Sequence, residues 1–156
     1  MPDLQTYRPR VLVADPNAET TALLARQLEW AGYDVITAGD SPEALVAVSR
    51  GGVDALVIDA TMSGMSGYEA VRVLRADPAA RLMPVVMISA RAGKLDRDFA
   101  FTVGADDYVL KPFRCADLVA RIALLVPSAD APAPAQPIAR RGTRPARAPQ
   151  PALAVR

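Results

Sequence analysis

Short runs of consecutive apolar residues alternate along this chain with longer stretches in which apolar residues return every three or four positions. Val11-Leu12-Val13-Ala14, between Arg10 and Asp15, predicts a first strand, and Leu23, Leu24 and Leu28 then fall on one face of a predicted helix. Asp34 to Ala38 predicts a second strand. Ser41-Pro42 supplies an N-cap and a proline at the first helical position, opening a helix that carries Leu45 and Val48. Asp54 to Asp59 reads as a buried strand, Gly64 to Gly67 as a turn, and Tyr68, Val71 and Leu74 step along the helix that follows. Pro84 to Ser89 predicts a fourth strand, ahead of a polar, weakly patterned helix around Leu95 to Thr102. Asp107 to Leu110 predicts the fifth, Lys111-Pro112-Phe113 breaks the chain, and Leu118, Ile122 and Leu125 share one face of the last helix.

Strands that alternate with helices predict an α/β fold. Parallel strands need crossovers, and right-handed helical crossovers cover both faces of the sheet, which explains why the strands are continuously apolar. In such a doubly wound parallel sheet the reactive groups gather at the carboxyl ends of the strands. Strands one, three, four and five end at Asp15, Asp59, Ser89 and Lys111. Two carboxylates, a hydroxyl and an ammonium thus converge from distant positions.

Composition narrows the chemistry. A chain of 156 residues that is 51% hydrophobic and 22% charged can bury one domain's core. No apolar run approaches the roughly 20 residues of a membrane span, and Met1 to Arg10 holds charges, so a soluble, cytoplasmic protein with no membrane contact is expected. Cys115 stands alone and there is no histidine, which excludes an intrachain disulfide and the usual His/Cys metal sites. Any metal would sit among oxygens. Cys115, near a helix start, is open to two readings, an activated thiol or a packed structural one.

Charge is divided unevenly. Residues 127–156 carry five arginines, one aspartate and seven of the 14 prolines, so the net charge of +1 hides a body of about −3 and a tail of about +4. The predicted organisation is an extension over 1–9, a domain over 10–126 and a disordered Pro/Ala/Arg-rich tail over 127–156. Arginines spread out without aromatics predict a solvated linker, and no direct DNA binding is expected.

Asp59 is suited to accept a phosphoryl group, because in that chemistry a protein mainly positions groups and stabilises charge. Asp15, Asp59 and the backbone carbonyl of Thr61 offer oxygen ligands for Mg2+, while Ser89 and Lys111 would hold phosphate oxygens. Plainer roles stand beside these. Asp59 can cap the turn after its strand, Asp15 can cap a helix begun by Pro16, and Ser89 can bond to backbone. Lys111 can be an ordinary solvated lysine, and Tyr108 can pack only for area.

Four separated stretches, VLVADPNAE, LVIDATMSGMSGYEAVRVLR, PVVMISARAG and GADDYVLKPF, resemble the receiver domains of two-component response regulators over roughly Arg10 to Val126. The resemblance implies a five-stranded, flavodoxin-like sheet in the order 2-1-3-4-5. It implies phosphorylation of Asp59 by a histidine kinase, a phosphotransfer protein or a small phosphodonor, with the domain assisting its own phosphorylation and dephosphorylation. Lys111 would contact phosphate, Ser89 would be the switch hydroxyl, and Tyr108 the aromatic that changes rotamer. Thr61 and Arg91 would flank the phosphate path, and the Lys111-Pro112 bond would be cis. A surface of the fourth helix, fifth strand and fifth helix would then meet a downstream protein or a second copy. A single-domain, stand-alone regulator is expected on this reading, and a chain without histidine receives phosphate rather than donating it.

Three positions depart from that family. Pro16 stands where a second acid usually follows the first, leaving the metal site one carboxylate short, with Asn17 or water as substitutes. Ser63 and Ser66 replace a common proline and aspartate. A second reading follows from Pro16, a phosphorylation-impaired pseudo-receiver that acts as a constitutive protein-binding module. A phosphatase of the haloacid-dehalogenase type wants an acid two residues after its nucleophile, and here that residue is Thr61. DPNAE also lacks the Gly- and Ser/Thr-rich cradle of a flavin phosphate.

Overall fold

The computed structural model describes residues 7–129. Its elements alternate strictly, as β1 Arg10–Ala14, α1 Ala18–Trp30, β2 Asp34–Ala38, α2 Ser41–Ser49 and β3 Ala55–Asp59, followed by α3 Gly67–Ala76, β4 Val85–Ser89, α4 Lys94–Val103, β5 Asp107–Leu110 and α5 Cys115–Leu125. All strand pairs are parallel, in the order β2-β1-β3-β4-β5. This is the expected flavodoxin-like sheet.

Successive strand residues point to opposite faces, and both faces are covered. Leu12, Leu56, Ile58, Met87 and Tyr108 pack on one side with Ala70, Val71 and Leu74 of α3 and Ala100 and Val103 of α4. Val11, Val13, Val57, Val86, Ile88 and Val109 pack on the other with Leu24 and Leu28 of α1 and Leu118 and Ile122 of α5.

Several local expectations need correction. Leu23 lies on the outer side of α1, 51% exposed, because the buried face runs through Thr21, Leu24 and Leu28. Asp40, not Ser41, caps α2. Its carboxylate accepts the Glu43 N–H, while Ser41 is already helical and buried. Nor does Asp15 cap α1, since Asn17 Oδ1 accepts the N–H groups of Glu19 and Thr20. Asp54 precedes β3 and instead accepts hydrogen bonds from the Tyr7 hydroxyl and the Arg10 N–H.

Long-range side-chain bonds fasten the ends of the domain. The Tyr33 hydroxyl donates to the Val126 carbonyl at 2.6 Å, and Ser128 Oγ donates to the Ala31 carbonyl at 2.6 Å. Burial pushes the Tyr33 phenol up to about 12. Tyr7 and Arg8, within the predicted extension, bond to Asp54, Glu29 and Tyr33. Residues 130–156 of the predicted tail lie outside the described residues.

Arg75 on α3 ties together the entrances of β4 and β5. Its guanidinium donates to the carbonyls of Gly104, Ala80, Arg81 and Met83 and to Asp106, whose carboxylate also accepts the Val85 N–H. Gly104, at φ +118°, ends α4 in the left-handed region, and a Cβ there would strike the Arg75 side chain. The strands that end in Ser89 and Lys111 therefore start from one fixed point.

Candidate functional site

Strand order brings the predicted residues to one edge. β1 and β4 flank β3 in the sheet, so Asp15, just beyond β1, and Ser89, the last residue of β4, lie on either side of Asp59. Lys111 follows β5, and its N–H bonds to the Ser89 carbonyl at 2.8 Å. The Lys111-Pro112 peptide is cis. Lys111 Nζ donates to Asp15 Oδ2 at 2.7 Å and to Asp59 Oδ2 at 2.5 Å.

The remaining carboxylate oxygens are held by backbone. Asn17 N–H donates to Asp15 Oδ1 at 2.8 Å, and Thr61 N–H donates to Asp59 Oδ1 at 2.6 Å. Asp15 and Asp59 are 1% and 5% exposed, so two carboxylates stand nearly out of water beside one ammonium. Burial raises the Asp59 carboxyl above its ordinary range, Lys111 and the Thr61 N–H draw it back, and the Asp15 charge adds to the rise. Burial alone would lower the Lys111 ammonium, but its bonds to Asp15 and Asp59 more than offset this and raise it. Lys111 stays charged and ties the carboxylates together.

Ser89 is buried at the edge, and its Oγ accepts the Arg91 N–H at 3.0 Å. It shares the edge with Asp59 without joining the Asp15–Lys111–Asp59 cluster. Tyr108 lies inside, 3% exposed, and its hydroxyl donates to the Arg91 carbonyl at 2.6 Å. Ser89 and Tyr108 therefore hold the same residue, one by its N–H and one by its carbonyl. The Arg91 side chain turns away to Asp96, 3.8 Å off, and the Thr61 side chain is exposed.

Gly67, which the sequence marks only as the end of a turn, fixes where Asp59 sits. A Cβ there would lie 2.1 Å from the Asp59 carbonyl oxygen, and Gly67 N–H bonds to the Ala60 carbonyl. The start of α3 is pressed against the strand end, and Ser66 and Glu69 fix it with a reciprocal capping box. The GYE sequence after a polar turn is the signal for this close approach. Nothing in the hydrophobic pattern marks Arg75, because its partners are backbone carbonyls and the distant Asp106 carboxylate. Cys115 is not an activated thiol, since burial raises it.

Oxygen donors suited to magnesium are present in Asp15, Asp59 and the Thr61 backbone. The described residues contain no group of three or more acidic, thiol or imidazole side chains able to hold a metal. Two carboxylates with waters and phosphate still fall within magnesium's habit. An ion there would compete with Lys111 for the two carboxylates, and Asn17 is not a free substitute because its oxygen caps α1.

Comparison with known proteins agrees with this geometry. The family model described as "Response regulator receiver domain" matches residues 11–123. The DNA-binding response regulator MtrA of Mycobacterium tuberculosis is 38% identical over 119 residues, 76% of this chain and 51% of that protein. The transcriptional regulatory protein PrrA of the same organism is 42% identical over 124 residues, 80% of this chain and 52% of that protein. The chain spans about half the length of these relatives. The chemotaxis response regulator CheY4 of Vibrio cholerae superposes with a TM-score of 0.73 at 26% identity, over 77% of this chain and all of that one. A response regulator from Chloroflexus aurantiacus gives 0.73 at 29%, over 76% of this chain and 98% of that one. No described helix is long and apolar enough to cross a membrane.

Proposed function

Because this chain belongs to the response regulator receiver domain family, we propose that it works in two-component signalling by accepting a phosphoryl group on Asp59. The observation that carries this reading is the buried pair of carboxylates bridged by the Lys111 ammonium. A carboxylate oxygen of Asp59 forms the bond to phosphorus as the bond to the donor's leaving atom breaks, and the leaving group keeps the electron pair. Lys111 and the Ser89 hydroxyl then hold phosphoryl oxygens, and the Thr61 N–H orients the carboxylate. Asp15, Asp59 and the Thr61 carbonyl are the groups that would hold a magnesium ion, whose chemistry there is to neutralise phosphoryl charge.

The donor in this proposal is a cytoplasmic histidine kinase or phosphotransfer protein. Ser89 and Tyr108 carry the change to the face of α4, β5 and α5, where a downstream protein or a second copy binds. Acetyl phosphate with magnesium is expected to add one phosphoryl mass to the wild type and none to Asp59→Asn. A wild type that stays unmodified, with its kinase as well, would overturn the proposal.

Pro16 favours a second reading, a constitutive binding module. With one acid fewer, the bridge from Lys111 to both carboxylates leaves less charge to attract a divalent ion. Equal partner binding by the wild type and Asp59→Asn would support that module.

A further inference from the structure

The first turn of α4 is lightly packed at this edge and, like that of α5, starts without a side-chain cap. Gly93 caps it without a side-chain bond, only Ala100 and Val103 are fully buried, and Leu95 and Phe99 are 83% and 43% exposed. What reaches it from the core is two tyrosines. Tyr108 of β5 bonds the Arg91 carbonyl just before the helix at 2.6 Å. Tyr68, the second residue of α3, places its hydroxyl 3.5 Å from the Asp96 carbonyl and its ring 4.9 Å from that of Phe99. Burial pushes the Tyr68 phenol up to about 12, and Arg97 of α4 lies over the Tyr108 ring at 5.7 Å.

Tyr68 also stands next to Gly67, whose backbone is pressed against the Asp59 carbonyl. A movement of the loop after Asp59 therefore reaches Tyr68 through one peptide unit. We propose that Tyr68 is a positioning residue that ties α4 to α3, so that the start of α4 follows the Asp59 loop directly as well as through Ser89 and Tyr108. The unequal distances support this. Tyr108 holds a full hydrogen bond, whereas the Tyr68 bond is stretched to the limit of one, leaving α4 room to close toward α3.

The inference rests on Asp59 as the phospho-acceptor, and its test separates the two. Amide hydrogen exchange over 91–103 would be followed in the full chain for wild type, Tyr68→Phe, Tyr108→Phe and the double variant, before and after acetyl phosphate with magnesium. Phenylalanine keeps the ring contact with Phe99 and removes only the hydroxyl. Tyr108→Phe is expected to speed exchange in the first turn of α4 roughly fivefold, the worth of one neutral hydrogen bond, and Tyr68→Phe by less, roughly twofold, because its bond is stretched. The double variant should be little worse than Tyr108→Phe, because both hydroxyls hold the same short stretch of chain at the start of α4. Residues 10–30 should exchange as in the wild type. Tyr68→Phe should gain the phosphoryl mass as the wild type does, yet show a smaller phosphorylation-dependent change over 91–103, the remainder passing through Ser89 and Tyr108. Wild-type exchange over 91–103 in Tyr68→Phe, multiplicative effects in the double variant, or acceleration spread evenly over the chain would each overturn the role. A wild type that takes no phosphoryl mass overturns the acceptor reading instead, and the untreated samples still decide Tyr68.

Discussion

The β1–β3 side of the carboxyl edge and its β4–α4–β5 side are built in opposite ways. On the first, Asp15 and Asp59 are buried and each carboxylate oxygen has a donor, from Lys111, Asn17 or Thr61. On the second, α4 has an uncapped start, small buried side chains and exposed apolar ones, held near Arg91 and Asp96 by tyrosyl hydroxyls. Charge chemistry needs groups that do not move, and a response needs an element that costs little to move. The proposed division between accepting a phosphoryl group on Asp59 and reporting it through α4 follows this difference in packing.

Substitutions on the two sides should separate the roles, and the largest loss is expected at Gly67→Ala. Its Cβ meets backbone rather than a yielding side chain, so α3 or the Asp59 strand end must shift. A loss of about 3 kcal/mol in urea unfolding is expected, together with slower uptake of phosphoryl mass. Unchanged stability would mean that this loop is soft and the contrast between the two sides is misplaced.

Next is Lys111→Met, which leaves Asp15 and Asp59 facing each other without a cation. A loss of about 2 kcal/mol near neutral pH is expected, shrinking in acid. In the wild type the folded Asp59 carboxyl titrates above its unfolded value, so the folded state holds more protons in between and stability falls as pH rises through that window. Removing Lys111 should move the window upward, and Asp59→Asn should flatten it. Urea midpoints from pH 4 to pH 8, about the range where raised carboxylates titrate, check both signs. Lys111 itself, held above its ordinary value, contributes stability that is present up to its unfolded range and lost only as alkaline pH passes its folded value.

On the looser side Tyr108→Phe removes one hydrogen bond and leaves the Arg91 carbonyl without that donor. About 1 kcal/mol is expected, with exchange accelerated over α4 before any other helix. The smallest effect belongs to Lys94→Ala, whose exposed pair with Asp98 on the same helix should change stability by less than about 0.5 kcal/mol. A large effect there would show that α4 is anchored by its surface rather than by the tyrosines.

Much of this was legible in the chain. The alternating periods placed ten elements, because a strand buried on both faces is continuously apolar while a helix buries one stripe. The ends of four strands named Asp15, Asp59, Ser89 and Lys111 before any coordinate was needed. Caps were harder to read. Asp40 outcompeted Ser41 and Asn17 outcompeted Asp15 because a cap is chosen by which neighbouring oxygen reaches two or three N–H groups, and adjacent polar residues look alike in sequence. Leu23 fails for a related reason, since the buried stripe of α1 is narrow and runs through Thr21, Leu24 and Leu28, which leaves Leu23 on its outer side.

Sequence by itself determined the fold class and which polar residues end the strands, because each is set by residue type and period along one chain, and the resemblance to the family marked Pro16 as a departure. The tertiary structure alone decided that Lys111 bridges both carboxylates, that Gly67 presses on Asp59 and that Tyr68 reaches the Asp96 carbonyl of α4. The hydrogen bonds among these join residues 52, 96 and 28 positions apart. Only the closing of the sheet and the packing of helices on it bring such pairs within a few ångströms.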